Sequence, residues 1–215
     1  RQLPALLMAF IYLNFRYLQN LVLVNFSIEV FYPLFIFSAV YFSTKQKTWP
    51  YYLSVILGLL VKEDSPLYFG GLGFFLTLFG PHRKRGLGTL ALALAYPVFV
   101  LKVFLPWSGS TILRGDLNNY SKLGTSLGEI FRTVLSQPAL LIRELFLPVE
   151  KIRTFFKLTS RLLFLPLFSP WLGLVLLALY PLYFQGGDYF IQLAFYYSAP
   201  VLPFLFLAFV DGWRR

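Results

Sequence analysis

Cysteine is absent from this sequence, and charged residues are scarce, at 13% of 215 residues. Without thiols the chain has neither disulfides nor thiolate metal sites. A soluble domain carries about a quarter charged residues. A chain with 58% hydrophobic residues therefore has too little polar surface to cover a water-soluble globule. These shortages exclude an ordinary soluble domain and indicate an integral membrane protein in contact with the lipid bilayer.

Positive charge is in excess, with 19 basic against 9 acidic residues and a formal net charge of +10. In a soluble protein this excess would suggest nucleic acid as a partner. Here the basic residues form short tracts between apolar runs, such as His82-Arg83-Lys84-Arg85 and Arg214-Arg215. Such tracts are typical of cytoplasmic loops. We therefore expect no nucleic-acid partner.

The apolar runs predict an all-α, polytopic membrane fold, because a helix satisfies its own backbone in lipid. The length of the chain allows about 7–8 transmembrane helices. Several runs are shorter than the roughly 20 residues of a straight span, so their polar flanks should extend the helices. The predicted apolar segments are residues 3–13 (with 21–26), 30–42, 49–61, 67–79, 87–105, 152–168, 171–184 and 190–210.

Residues 150–161 have a second interpretation, because four of them are basic. They can form an amphipathic interfacial helix, with residues 162–184 as one proline-bent span. That arrangement places the C-terminus outside the cell, against the positive-inside rule. The eight-segment interpretation therefore fits the charges better.

Charge also predicts the topology of a chain in the cell (inner) membrane. If Lys45 and Lys47 are cytoplasmic, alternating helices place residues 82–85 and the C-terminus in the cytoplasm. The same alternation places Lys62 and the 106–150 loop on the extracytoplasmic side.

The predicted domain organisation is one membrane domain over residues 1–215. The extracytoplasmic loop at 106–150 is inserted between the fifth and sixth segments. Within this loop, apolar residues recur near helical spacing over 127–146, with an interruption at Pro138. An amphipathic helix along the membrane surface is expected there.

The strongest candidate site is Lys62-Glu63-Asp64 at the end of an apolar run. Charges beside hydrocarbon are unfavourable and often functional. The two carboxylates can hold a divalent cation, or one can act as a base, and Lys62 can bind a phosphate. The simpler interpretation is a polar cap that ends a helix at the interface. Glu29 should face the same side, although alone it also suits a helix N-terminus.

Two further motifs have structural interpretations. Gly70-Gly71-Leu72-Gly73 lacks the strand–turn–helix setting of a nucleotide loop, so close helix packing explains it better. The pair Tyr196-Tyr197 is more often an anchor at the membrane interface than a binding site.

Five motifs in fixed order carry a resemblance to a known family. They are Phe26-Ser27-Ile28-Glu29 with Pro33, Val61-Lys62-Glu63-Asp64, residues 119–126 with Pro138, Leu165-Pro166-Leu167-Phe168-Ser169-Pro170, and residues 197–204. In this order, over nearly the whole chain, they resemble the bacterial and archaeal predicted membrane proteins called domain of unknown function 2079. That family is distantly similar to GT-C glycosyltransferases, multi-span enzymes that take sugars from polyprenyl-phosphate carriers on the outer face.

The resemblance implies a GT-C-like fold and transfer of a sugar from a polyprenyl-phosphate donor at the extracytoplasmic face. Acceptor recognition would then fall to the 106–150 loop. The implied catalytic residues are Glu63 and Asp64, with a divalent cation as an open alternative there. The implied substrate-binding residues are Lys62, Glu29, Tyr120 and Tyr197.

The chain also departs from the family. Ser27 and Tyr196 stand where members usually have histidine. Members usually begin with further spans, and the first outer loop, which carries the catalytic acid in GT-C enzymes, has no counterpart here. The chain is thus expected to be a fragment, a half completed by another subunit, or a relative without catalysis.

Two functions other than sugar transfer are also considered. The main alternative is a non-catalytic structural or accessory subunit of a larger membrane protein complex. A transporter fits less well, because no repeated pair of broken helices occurs and Lys102 is one of few ionisable residues inside the apolar segments.

Overall fold

The computed structural model describes residues 2–23, 27–80, 82–108, 123–124, 127–137, 139–140, 142–143, 149–184, 193 and 195–215. Within these ranges every regular element is helical and no strand occurs, which confirms the predicted all-α class. The α-helices are α1 (Gln2–Leu13), α2 (Arg16–Leu23), α3 (Phe31–Thr44), α4 (Thr48–Leu59), α5 (Ser65–Phe79), α6 (Arg83–Phe99), α7 (Leu105–Ser108), α8 (Leu127–Ser136), α9 (Val149–Ser160), α10 (Leu172–Phe184) and α11 (Val201–Arg214). Short 3-10 turns occupy Ile28–Val30, Leu165–Phe168 and Phe195–Ser198, and a π-helical stretch occupies Val100–Phe104.

One helix in the described ranges is long and apolar enough to cross a membrane. It is Arg83–Phe104, with 22 residues and a mean hydropathy of 1.9. Only 11% of its apolar window is buried, so its apolar surface faces outward, as lipid contact requires and a soluble core does not. The shorter apolar helices are Leu3–Leu13, Ile28–Thr44, Ser65–Phe79 and Leu172–Phe184. The predicted 7–8 spans therefore remain a prediction.

Helices α5 and α6 form an antiparallel pair in which the backbones touch. A Cβ at Gly73 would lie 2.7 Å from the backbone nitrogen of Leu90, and one at Gly86 would lie 2.5 Å from that of Thr77. Only glycine permits so close an approach, so the packing interpretation of the glycine-rich motif is confirmed.

Contacts between loops define two ends of the helical layer. At the first, here called the Arg85 end, Arg85 donates hydrogen bonds to the carbonyl oxygens of Ser43, in the last turn of α3, and Gln46, in the α3–α4 connection. Ser169, just before α10, donates to Asp211 near the end of α11, with Oγ and Oδ2 2.7 Å apart. Asp211 also shares a pocket with Ser43 of α3. The opposite end, here called the Asp64 end, therefore holds the start of α3, the α4–α5 connection, the end of α10 and the start of α11.

The segment predicted as a helix over 152–168 is shorter than expected. Helix α9 ends at Ser160, and Leu163 and Phe164 have φ angles of 54° and 57°. A right-handed helix cannot continue through left-handed residues, and Pro166 follows in a 3-10 turn. A second helix begins only at Leu172, so residues 162–184 do not form the alternative single span.

Residues 149–168 nevertheless run from one end of the layer to the other. The Tyr183 hydroxyl at the end of α10 donates to the Lys151 carbonyl oxygen at 3.0 Å. Further along, the carbonyl oxygen of Leu165 lies directly against Gly212 of α11. The crossing from the Asp64 end to the Arg85 end agrees with the alternation predicted from the sequence.

Most of the 106–150 loop lies outside the described residues, and so does Tyr120. Within the loop, Leu127–Ser136 is α-helical. This confirms the first part of the helix predicted over 127–146.

Candidate functional site at the Asp64 end

The charged triplet lies between two helices. Helix α4 ends at Leu59, and α5 begins at Ser65 with Pro66 in its first turn, where proline favours helix initiation. Asp64 occupies the N-cap position, yet its side chain makes no capping hydrogen bond. Simple helix capping therefore does not explain the Asp64 carboxylate.

The Asp64 carboxylate accepts hydrogen bonds from two tyrosines. The Tyr32 hydroxyl, from α3, donates to Oδ1 at 2.6 Å, and the Tyr68 hydroxyl, one turn into α5, donates to Oδ2 at 3.0 Å. Because the Tyr32 proton is used, the Ser65 hydroxyl donates to the Tyr32 oxygen, 2.8 Å away. The Ser65 oxygen also accepts the backbone N–H of Lys62 at 3.0 Å. Asp64 is thus the centre of a network that joins α3 to α5.

A second contact joins the same elements through charge. Lys62 Nζ lies 3.1 Å from Glu29 Oε1, and the side chains are 31% and 9% exposed. The Ser27 hydroxyl donates to the other oxygen of Glu29. The pair therefore ties the start of α3 to the α4–α5 connection, with the carboxylate more deeply buried than the ammonium.

The titration behaviour of Asp64 and Lys62 follows from these surroundings. Burial raises the pKa of Asp64, and the Tyr32 hydrogen bond, the Lys62 charge and the Tyr68 hydrogen bond reduce this rise without cancelling it. Burial alone would lower the pKa of Lys62, but the Asp64 and Glu29 carboxylates outweigh it and hold that pKa above its usual value. Lys62 thus stays charged, while Asp64 holds a proton more readily than an exposed aspartate. A carboxylate with a raised pKa suits proton transfer near neutral pH.

Glu63 differs from its two neighbours. Its side chain is exposed, and no described residue forms a hydrogen bond with its carboxylate. Among the described residues, no group of three or more histidine or acidic side chains is placed to hold a metal ion. A cation at Glu63 and Asp64 would therefore have these two carboxylates and no third acidic or histidine ligand among the described residues.

The family model for the predicted membrane proteins called DUF2079 matches residues 1–215. The chain belongs to the DUF2079 family. Comparison with curated proteins and with solved structures finds no match. Family membership establishes a membrane protein and leaves the chemistry to be argued from the site itself.

In this DUF2079 protein, the cluster unites three of the six residues implied by the resemblance, namely Glu29, Lys62 and Asp64. Glu63 lies beside them and faces outward. Tyr197 is half-buried against the hydrophobic core, and Tyr120 lies outside the described residues.

The sequence interpretation missed Tyr32, Ser65 and Tyr68, all of them buried. Helical spacing was the signal that could have found Tyr68, which follows Asp64 by four residues and so lies about one turn from it. Tyr32 is 32 residues from Asp64, so no local spacing pointed to it.

Proposed function

We propose that this chain is a GT-C-like polytopic protein that handles a polyprenyl-phosphate-linked sugar at the extracytoplasmic face, with Asp64 as the general base. The observation that carries the proposal is the half-buried Asp64 carboxylate, positioned by Tyr32 and Tyr68. Burial raises its pKa above that of an exposed aspartate, the direction that strengthens a carboxylate as a base.

In the proposed reaction, an acceptor hydroxyl oxygen attacks the anomeric carbon of the donor sugar. The bond from that carbon to the lipid phosphate breaks, and the phosphate leaves with the bonding electrons. Asp64 takes the proton from the attacking hydroxyl. Lys62, held by Glu29, offsets negative charge beside the reacting groups.

The proposed setting is the cell (inner) membrane, with about 7–8 transmembrane helices. The Arg85 end faces the cytoplasm and the Asp64 end faces outward. Residues 1–215 form one membrane domain, and the 106–150 loop recognises the acceptor. Segregation of the loop tracts, with Arg83 and Lys84 at one end and Glu29 and Glu63 at the other, supports this orientation.

The test is sugar transfer from a polyprenyl-phosphate donor by the purified protein in proteoliposomes. Asp64→Asn should lower the rate about a hundredfold or more, the range for loss of a general base, while insertion and purification stay normal. Asp211→Asn is the matched control, because it alters a hydrogen-bonded carboxylate at the Arg85 end. Glu63→Gln tests whether the exposed neighbour shares the role. Wild-type transfer in both Asp64→Asn and Glu63→Gln would reject the proposal.

The accessory-subunit function is favoured by a different observation. Both oxygens of Asp64 accept hydrogen bonds, and Glu29 is paired with Lys62, so the cluster is satisfied without a substrate. As an accessory subunit, the chain should elute from native membranes within a larger complex and show neither transfer nor donor binding alone. A monodisperse, active monomer would exclude this alternative.

A further inference from the structure

A second polar site lies in a groove between α2 and α9, separate from the Asp64 cluster. The groove encloses about 410 Å³ and is lined by Arg16, Arg153, Lys157 and Arg161, with Glu150 as its acidic residue. Its floor includes buried Tyr17. Four cations therefore face one space that contains a single described carboxylate.

The spacing along the chain explains why the basic residues share a face. Arg153, Lys157 and Arg161 are four residues apart, which places neighbours one helical turn from each other. Arg161 directly follows α9 and lies over the Tyr17 ring, 5.3 Å from its centroid. Such a contact positions the guanidinium but supplies no negative charge to it.

No carboxylate among the described residues forms an ion pair with any of the four cations. The described ion pairs are Lys62 with Glu29 and Arg215 with Asp211. Like charges that line one groove repel each other and attract an anion from solution. The arrangement is therefore most favourable when a negatively charged group occupies the groove.

Membrane topology does not account for these cations. The Ser198 hydroxyl donates to the Tyr17 carbonyl oxygen at 3.3 Å, and Ser198 precedes the start of α11, so the α2 side of this groove lies at the Asp64 end. In the proposed orientation the positive-inside rule favours basic residues at the Arg85 end, so it does not explain cations at the opposite end. A binding role explains their position where topology does not.

We propose that the groove binds the phosphate group of an anionic membrane lipid. Arginine and lysine are the usual partners of phosphate oxygens, and Asn20 and Thr154, which also line the groove, can add neutral hydrogen bonds. This proposal does not depend on sugar transfer.

A neighbouring apolar stripe on α9 identifies the carrier of the phosphate as a lipid. Val149, Ile152 and Phe156 are 60%, 37% and 55% exposed, and their spacing of three and four residues puts them on one face. This stripe adjoins the basic face, so one molecule with an anionic head and apolar chains can contact both. Acyl chains would cover the stripe while the phosphate occupies the groove.

Binding of three probes to the purified chain in detergent, measured by calorimetry, tests the proposal. Dioctanoyl phosphatidic acid carries both phosphate and acyl chains, glycerol 3-phosphate lacks the chains, and dioctanoyl phosphatidylcholine masks the phosphate with choline. We expect phosphatidic acid to bind most tightly, with affinity that falls as salt rises. Equal binding of glycerol 3-phosphate would overturn the lipid assignment. Equal binding of phosphatidylcholine would overturn the phosphate assignment.

Charge removal provides the second arm. The triple variant Arg153→Gln, Lys157→Gln, Arg161→Gln should bind phosphatidic acid about tenfold or more weakly, since modest charge contacts are lost together. The matched control is Arg83→Gln, Lys84→Gln, Arg214→Gln, which removes three exposed charges at the Arg85 end. If the triple variant does not fold, exposed Lys157→Gln alone should weaken binding about threefold. Equal losses in variant and control, or no loss in a folded variant, would reject the groove as the site.

Discussion

The two ends of the helical layer hold charge in different ways. At the Arg85 end, the guanidinium of Arg85 donates to the carbonyl oxygens of Ser43 and Gln46, at 3.0 and 2.7 Å, and to Thr48 Oγ1 at 3.1 Å. At the Asp64 end, Asp64 accepts from tyrosine hydroxyls and Glu29 pairs with Lys62. At one end, backbone oxygens hold the guanidinium of Arg85, whereas the other end combines acidic and basic side chains.

The difference bears on which end can carry chemistry. The carbonyl oxygens that hold Arg85 lie at the C-terminal end of α3, where the helix dipole is negative and favours a cation. Backbone carbonyls do not titrate, so this contact is the same at any working pH. The Asp64 end contains a partly buried carboxylate with a raised pKa, which can exchange a proton. Reactivity is therefore expected at the Asp64 end and structural fastening at the Arg85 end.

The largest expected effect concerns the sides of the membrane on which the two ends lie. The chain has no cysteine, so Lys84→Cys and Glu63→Cys each give one thiol at an exposed position. In intact cells, an impermeant thiol reagent should label Glu63→Cys and leave Lys84→Cys unlabelled until the membrane is opened. Labelling of both from outside would show that the ends do not face opposite compartments.

Removal of the Asp64 carboxylate should have the largest effect on stability. Asp64→Ala removes the acceptor of two tyrosine hydroxyls, so it should destabilise the protein by about 2–3 kcal/mol. Asp64→Asn keeps an acceptor oxygen and should lose less than half of that. Glu63→Ala removes a neighbouring exposed carboxylate and should stay within about 0.5 kcal/mol of wild type. Thermal unfolding in detergent measures all three, and equal midpoints for Asp64→Ala and Glu63→Ala would contradict the network.

The pH dependence of the same variants follows from the raised pKa of Asp64. A raised native pKa means that the folded state binds the proton more tightly than the unfolded state. The resulting stabilisation is complete below the ordinary aspartate pKa of about 3.9 and is lost as the pH rises through the native pKa. Asp64→Asn cannot titrate, so its stability relative to wild type should improve as the pH rises from about 4 through the native pKa. A constant difference across that range would show that the carboxyl is not perturbed.

A smaller effect is expected at the Arg85 end. Arg85→Met removes three hydrogen bonds, but Gln46 and Thr48 are exposed, so water replaces part of the loss. We expect a destabilisation of about 1–2 kcal/mol. Lys84→Met removes the adjacent exposed charge and should change stability by no more than about 0.5 kcal/mol. An equal change in the two variants, by thermal unfolding, would mean that the Arg85 contacts do not fasten α6 to the end of α3 and the α3–α4 connection.

Sequence patterns predicted the helical class and most helix positions, because apolar runs and their polar interruptions are local features. The pairing of Gly73 with the α6 backbone was predicted only as close packing in general, since the identity of the partner helix depends on tertiary contacts. The end of α9 at Ser160 agrees with the helix of the second interpretation, over 150–161, and not with the preferred segment 152–168. Residues 162–165 are apolar, and nothing in hydropathy marks the left-handed backbone at Leu163 and Phe164.

The candidate site was predictable in part for the same reason. Lys62 and Asp64 stood out as charges at the end of an apolar run, and Glu29 was expected on the same side. The structure brings Glu29 to Lys62 from 33 positions away in the chain. The role of Tyr32 was not apparent, because a tyrosine in an apolar helix has the same local pattern whether it faces a carboxylate or the core.

The smallest effect tests whether the Lys62–Glu29 pair stabilises the Asp64 end. Lys62→Met leaves a buried carboxylate without its cation. The destabilisations of Lys62→Met and Glu29→Gln, added together, should therefore exceed the destabilisation of the double variant. The coupling energy should be about 1 kcal/mol, because Lys62 is 31% exposed and solvent screens the pair. Salt should reduce this coupling, whereas the uncharged contact between Tyr51 and Thr89 near the Arg85 end should not respond to it. A coupling near zero would mean that proximity alone joins the two side chains, and the phosphate-binding role first assigned to Lys62 would then become the stronger explanation for its position.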